Sequence, residues 1–121
     1  MSPSEKLLRF VESSFRSVWA LELLLILKRD RRTWPSAELV STMRASELVV
    51  SKALDALMSA GLVSADQDGA RYMPINGEVA KYVDELEQLY AARPDAVRRA
   101  IVSASASSAT AFADAFRLRK D

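Results

Sequence analysis

Apolar residues recur along the first quarter of the chain at the three- and four-residue spacing that places side chains on one face of a helix. A first helix is predicted from Ser4 to Phe15 and a second from Ser17 to Asp30. The second helix is apolar almost all round, with Glu22 as the exception inside its longest apolar run. A helix that is apolar on nearly every side belongs at the centre of a domain.

The next segment predicts two helices joined by a tight turn. Pro35 suits the first turn of a short helix from Ser36 to Met43, where its missing N–H costs nothing. Arg44 to Ser46 forms the turn, and Ser46 is a favourable N-cap for a helix that runs to about Ala60. Its inner stripe consists of Val50, Ala53, Leu54 and Leu57. Gly61 follows where a left-handed helix end is expected, with Leu62 as the accompanying apolar contact.

A hairpin and further helices are predicted after Gly61. Residues 62–65 and 70–73 flank Asp66-Gln67-Asp68-Gly69, and the Asp-Gly pair supplies the positive φ of a tight turn. Asn76 can cap a helix that reaches about Ala92, and another is expected over 94–103. Phe112 and Phe116, four residues apart, favour a final short helix.

The helix after Asn76 carries a seam of apolar residues at 4-3-4 spacing, which is typical of coiled-coil contacts. The seam consists of Val79, Val83, Leu86 and Tyr90. Such a seam packs either inside one chain or between two, and a homodimer is favoured because twofold symmetry matches a palindromic DNA site.

These elements predict one domain over residues 1–121 that is mostly α with a small two-stranded β-wing. Residues 1–32 supply N-terminal helices, 33–75 a winged helix-turn-helix unit, and 76–121 C-terminal helices for dimerisation. The stretch SAELVSTMRASELVVSKALDALMSAGLVSADQDGARYMPI resembles winged-helix bacterial transcription regulators, broadly of the MarR and PadR type.

The resemblance implies that the helix after Ser46 reads double-stranded DNA. A helical wheel turns Leu48, Ser51, Lys52, Asp55 and Ser59 outward, with Val49 at the edge. Lys52 would bind a phosphate or guanine, and Leu48 and Val49 would touch thymine methyl groups. The expected DNA-contacting residues are Arg44, Ser46, Leu48, Val49, Ser51, Lys52, Arg71, Arg31 and Arg32.

The distribution of charged residues leaves the roles of Arg71 and of the basic run before Thr33 open. Arg71 has two readings, a phosphate contact or an ion pair with Asp66 and Asp68. The basic run from Lys28 to Arg32 either reaches phosphates or completes a helix C-terminus, where the helix dipole favours cations. Residues 36–75 carry three cations against five carboxylates, a net charge of −2. The alternative function is therefore a protein-interaction module on the same scaffold.

The amino-acid composition excludes several kinds of metal site and catalytic nucleophile. The chain of 121 residues has a net charge of +1 and contains neither histidine nor cysteine. This excludes imidazole and thiolate metal sites and the corresponding nucleophiles, so no enzyme, metal or cofactor is expected. The N-terminal residues lack the apolar stretch of a signal peptide, and a cytoplasmic protein without a membrane segment is expected. The two tryptophans suggest either a ligand pocket or packing, and the favoured expectation is core packing for Trp19 and hinge packing for Trp34.

Overall fold

The computed structural model describes residues 5–104, which form helices and one antiparallel pair of strands. Five helices and the two strands are α1 (Glu5–Ser14), α2 (Val18–Arg29), α3 (Ser36–Met43), α4 (Glu47–Ser59), β1 (Val63–Asp66), β2 (Gly69–Tyr72) and α5 (Gly77–Ala92). A further helix, α6, begins at residue 94 and continues to residue 104, the last one described. The predicted helix-rich fold with a small hairpin is confirmed. The predicted helix around Phe112 and Phe116 lies outside the described residues.

The second helix lies at the centre of the molecule, as its all-round apolar pattern predicts. α4 and β2 pack on α2, while α1 packs on α5. The fully enclosed residues of α2 include Leu21, Leu23, Leu24 and Leu27. The inner stripe of α4 is buried against this centre as predicted, which fixes which face of α4 is left for solvent.

Local capping signals set several helix ends. The Ser46 hydroxyl accepts a hydrogen bond from the Val49 N–H at 3.1 Å, and the Asn76 side chain accepts one from the Val79 N–H at 2.9 Å. Both N-caps were predicted, because a short side-chain oxygen replaces a missing backbone acceptor at a helix start. Gly61, with φ of +74°, ends α4 in the predicted left-handed conformation.

The hairpin has its predicted register, but each strand lies one residue closer to the turn than predicted, so the loop has two residues rather than four. Asp66 pairs with Gly69, so Gln67 and Asp68 occupy the corner. The Asp68 N–H donates to Asp66 Oδ1 at 2.9 Å, a local bond that stabilises the turn. Gly69 does have a positive φ, of +139°, but it is the first residue of β2 rather than a corner residue.

Backbone pairing with Trp34 anchors the hairpin to the rest of the molecule. The Trp34 N–H donates to the Ala70 carbonyl at 2.7 Å, and the Ala70 N–H donates to the Trp34 carbonyl at 2.9 Å. The Trp34 indole is nearly buried, and its Nε1–H donates to the Asp30 carbonyl at 2.9 Å. Trp34 thus occupies the predicted hinge position, and it also ties the end of α2 to the second strand.

An ion cluster joins the end of α2 to α5. Lys28 Nζ donates to Glu87 Oε1 at 2.6 Å and lies 3.2 Å from Asp84 Oδ1, and Arg29 Nε donates to Glu87 Oε2 at 3.1 Å. The hydrogen bond from Lys28 lowers the pKa of Glu87, and the same bond raises the pKa of Lys28. The cluster favours the charged form of both groups in the folded state.

Replacing Glu87 tests this cluster. Because the folded-state pKa of Glu87 is lowered, its stabilising contribution is present above the unfolded pKa and disappears as pH falls through the folded value. We expect Glu87→Gln to lower the free energy of unfolding by about 1.5 kcal/mol at pH 7, as for hydrogen bonds to charged groups. The difference from the parent should shrink steadily in acid below about pH 4.5. Urea unfolding at several pH values measures it, with Glu85→Gln as the control; no shrinkage in acid would contradict the assignment.

The predicted dimer seam packs inside the monomer at its two central residues. Val83 and Leu86 have no exposed surface, and Val79 and Tyr90 lie against the same core. The prediction that this seam joins two chains is therefore wrong for Val83 and Leu86, because an enclosed side chain cannot contact a second molecule. The 4-3-4 spacing correctly predicted an apolar face on α5, but α1 and the core of the same chain cover that face.

Candidate nucleic-acid interface

The outer face of α4 is an exposed rod beside the hairpin. Leu48 is 62% exposed, and the helical wheel's other outward residues are exposed as well, namely Ser51, Lys52, Asp55 and Ser59. Val49 is half-buried at the edge, as predicted. β1 packs on α4, which places the hairpin next to the helix. An exposed helix face flanked by a ribbon is the shape that enters a major groove and rests on the adjacent backbone.

Ser46 begins this helix, and its hydroxyl is engaged in capping. The oxygen accepts the Val49 N–H bond, but a hydroxyl retains a proton to donate. Ser46 is exposed at the start of α4, so its hydroxyl proton is available to a partner from solvent. Lys52 and Ser51 lie one turn further along, and within residues 5–104 neither forms an ion pair or side-chain hydrogen bond. The first half of the exposed face thus offers one uncommitted cation, Lys52, and the hydroxyl groups of Ser46 and Ser51.

Arg44 holds the turn between α3 and α4 in a strained conformation. Its φ and ψ are 54° and 41°, and among residues 5–104 it is the only non-glycine residue with positive φ. The Arg44 N–H donates to the Ser41 carbonyl at 3.4 Å, which closes the end of α3. A β-carbon makes this conformation unfavourable by about 1 kcal/mol relative to glycine. The predicted turn is confirmed, but its sequence lacks the glycine or asparagine that would have predicted the left-handed residue.

Arg71 lies on the exposed side of β2, opposite Ser64 of β1. Of its two predicted readings, the ion pair with Asp66 or Asp68 is not formed within the described residues. The Asp66 carboxylate instead accepts the turn hydrogen bond from the Asp68 backbone. Within the described residues Arg71 is therefore a cation without an ion pair, on the strand that follows the acidic turn and three residues after Asp68.

The basic run at the end of α2 is committed to internal contacts. Lys28 and Arg29 bind Glu87, as described above, and Arg31 Nε donates to the Lys28 carbonyl at 3.2 Å while its guanidinium lies 5.3 Å from the Tyr72 ring centre. The helix C-terminus reading thus describes most of this run. The phosphate contacts expected of Arg31 and Arg32 stay a prediction, because both side chains are exposed and an internal hydrogen bond leaves other guanidinium donors.

Arg32 is the most constrained of these cations. Its Nε donates to Asp30 Oδ2 at 2.9 Å, a second guanidinium nitrogen donates to Glu38 Oε1 at 2.7 Å, and the group stacks 3.9 Å from the Trp34 ring centre. The Arg32 hydrogen bond lowers the pKa of Glu38. Arg32 therefore braces the start of α3 and offsets one of the five carboxylates of residues 36–75.

Trp19 is 44% exposed, which contradicts its predicted core position. It lies between two cavities. One, of about 510 Å³, is shared with Val49, Lys52 and other residues of α4, and the other, of about 410 Å³, reaches the end of α3. Because α2 is apolar on nearly every side, its sequence pattern does not show which face is exposed. The available signal was Glu22, three residues after Trp19 and hence on the same face of the helix.

Two further features bear on the class of site. Within residues 5–104, no cluster of three acidic side chains is arranged to hold a metal ion. In the same range, every helix is too short or too polar to cross a lipid bilayer.

Comparisons with protein-family models, with curated proteins and with solved structures found no match for this chain.

Proposed function

We propose that this protein is a winged helix-turn-helix regulator that binds double-stranded DNA as a homodimer on a palindromic site. In this reading α3 and α4 form the helix-turn-helix, the hairpin is the wing, and Trp34 provides the short third-strand pairing. The exposed outer face of α4 beside the hairpin is the single observation that carries the proposal.

The proposed contacts fall into two groups. Arg44, Lys52 and Arg71 are exposed cations at the turn, on α4 and on the hairpin, and they would bind phosphates or guanine. Leu48 and Val49 would pack on thymine methyl groups, with Ser46 and Ser51 as hydrogen-bond donors. Because only three cations serve each chain, affinity would rest on two copies bound about one helical turn apart on DNA.

Fluorescence anisotropy tests the proposal, with duplexes selected from a random pool at low salt. We expect a 2:1 complex whose log affinity falls linearly with log salt, with a slope of about −5 when six phosphates are neutralised by a dimer. A chain that shows no salt-sensitive binding to any selected duplex would refute the DNA-binding function.

Arg44→Gly separates binding from stability. Glycine relieves the left-handed strain, so we expect the free energy of unfolding to rise by about 0.5–1 kcal/mol. Loss of the cation should at the same time weaken DNA binding about tenfold and make the salt slope shallower. Urea unfolding and anisotropy measure the two effects. An Arg44→Gly protein that is stabilised and binds DNA like the parent would exclude Arg44 from the interface.

A second candidate, a protein-interaction module, is favoured by the net negative charge of residues 36–75 and by Leu48 on the exposed rod. Acidic and apolar outer positions suit a protein partner better than a phosphate backbone. Recovery of one stoichiometric protein, bound by the parent but not by Leu48→Asp, together with no salt-sensitive DNA binding, would support this alternative.

A further inference from the structure

A second cavity, separate from the outer face of α4, opens on the other side of Trp19. It has a volume of about 410 Å³, within the range of small-molecule sites. Its walls are formed by α2 and by the end of α3, with Val18, Trp19, Glu22, Ile26, Thr42 and Met43 as lining residues. Most of this lining is apolar, so the cavity suits a ligand with substantial hydrocarbon surface.

Glu22 is the only ionisable residue in this lining. One of its carboxylate oxygens accepts the Tyr90 hydroxyl at 2.6 Å, while within residues 5–104 the other oxygen accepts no hydrogen bond. Arg98, the nearby cation, lies 5.4 Å from the Tyr90 ring centre and is not part of the lining. Arg98 interacts electrostatically with Glu22 from beside Tyr90, but the lining itself contains no cation, so the cavity presents a carboxylate with one unused oxygen.

Trp19 supplies the second recognition element. Its indole is 44% exposed, although tryptophan is among the side chains most favoured in cores. The face of an indole ring attracts cations, most strongly where water is partly excluded. An aromatic wall and a carboxylate on adjacent turns of one helix form a pair that recognises an organic cation and disfavours an anion.

We propose that this cavity binds a lipophilic organic cation, a substituted ammonium whose charge is held between Glu22 and the Trp19 ring. The apolar substituents of the ligand contact Val18, Ile26 and Met43. This site is independent of DNA binding, and a ligand here touches Met43, the residue next to the strained Arg44.

Nuclear magnetic resonance of the full chain without DNA tests the site, with benzyltrimethylammonium as the probe. The chain has two tryptophans and hence two indole N–H signals. The Trp19 signal should shift saturably with a dissociation constant of about 1 mM or tighter. The Trp34 signal should stay in place, because its N–H is hydrogen-bonded to the Asp30 carbonyl in a different part of the fold.

Substitutions and an anionic probe define what supports the proposal. Glu22→Gln should weaken the probe at least tenfold, while Glu12→Gln on α1 should leave binding unchanged. Trp19→Leu should also weaken it, and this variant, followed through the backbone signals of Ile26 and Met43, decides the matter if Glu22→Gln does not fold. Phenylacetate, which matches the probe's ring but is negatively charged, should not shift Trp19.

Three results would overturn the cation site. In the first, the Trp19 signal does not move when the probe is added. Sedimentation and iodide quenching of Trp19 then show whether a second copy or the chain's own C-terminal residues cover the cavity. In the second, Glu22→Gln binds the probe as tightly as the parent. In the third, phenylacetate shifts Trp19 as strongly as the cation.

Discussion

Gly69→Ala is expected to destabilise the protein by about 3 kcal/mol, the range that positive-φ strain and steric overlap reach together. A β-carbon at this position would overlap the Trp34 carbonyl oxygen and would lie 2.5 Å from its carbon and 2.8 Å from the Pro35 nitrogen. These are backbone atoms, which cannot rotate away as the end of a side chain can. The φ of +139° adds strain for any residue other than glycine.

The substitution would therefore open the pairing between Trp34 and Ala70. Both backbone hydrogen bonds of that pair, at 2.7 and 2.9 Å, would lengthen or break, and the hairpin would detach from the end of α2. Urea unfolding followed by circular dichroism measures the loss, and the thermal midpoint should fall by roughly 10 °C.

Gly77→Ala is the matched control. It adds the same methyl group at the start of α5, where a β-carbon meets no atom within 4 Å. Alanine favours a helix over glycine, so this variant should be as stable as the parent or up to about 1 kcal/mol more stable. Equal stability of the Gly69 and Gly77 variants would show that the hairpin is not held by the Trp34 pairing.

Lys52→Glu should weaken DNA binding about a hundredfold, with no loss of stability. Lys52 is exposed on α4 and forms no ion pair within residues 5–104, so its replacement removes no contact that holds the fold. Each good base or phosphate contact contributes about 1–3 kcal/mol, and a dimer loses two contacts and gains two repulsive charges. Anisotropy titrations across a salt series measure the effect, and the salt slope should become shallower by about two.

Lys81→Glu makes the same charge change on α5, which packs on α1 rather than on the helix-turn-helix. It should weaken DNA binding severalfold at most, through net charge alone. A Lys52→Glu protein that binds as tightly as Lys81→Glu would remove the exposed face of α4 from the proposed interface.

Much of the architecture follows from local chemistry. The Ser46 and Asn76 caps, the left-handed Gly61 and the inner stripe of α4 were all predicted, because each depends on a few adjacent residues and on helical periodicity. The outward residues of α4 follow from the same periodicity, so the geometry of the candidate interface was predictable. Whether DNA occupies it stays a prediction.

The errors and the alternatives left open share one cause, which is that several apolar or charged patterns have more than one possible partner. The Val79–Tyr90 seam is correctly apolar, but its spacing does not say whether the covering surface belongs to the same chain. The basic run after Ile26 is correctly basic, but Asp84 and Glu87 lie more than 50 residues away in sequence and become its neighbours only in the fold.

Sequence alone therefore determined where the helices, the turn and the hairpin lie, because caps, turn residues and periodicity act over a few residues. Tertiary packing alone decided which patterned faces are covered. It enclosed Val83 and Leu86, left Trp19 half in solvent beside Glu22, and paired Trp34 with Ala70. The physical reason is that burial depends on surfaces brought together from distant parts of the chain, which no local pattern specifies.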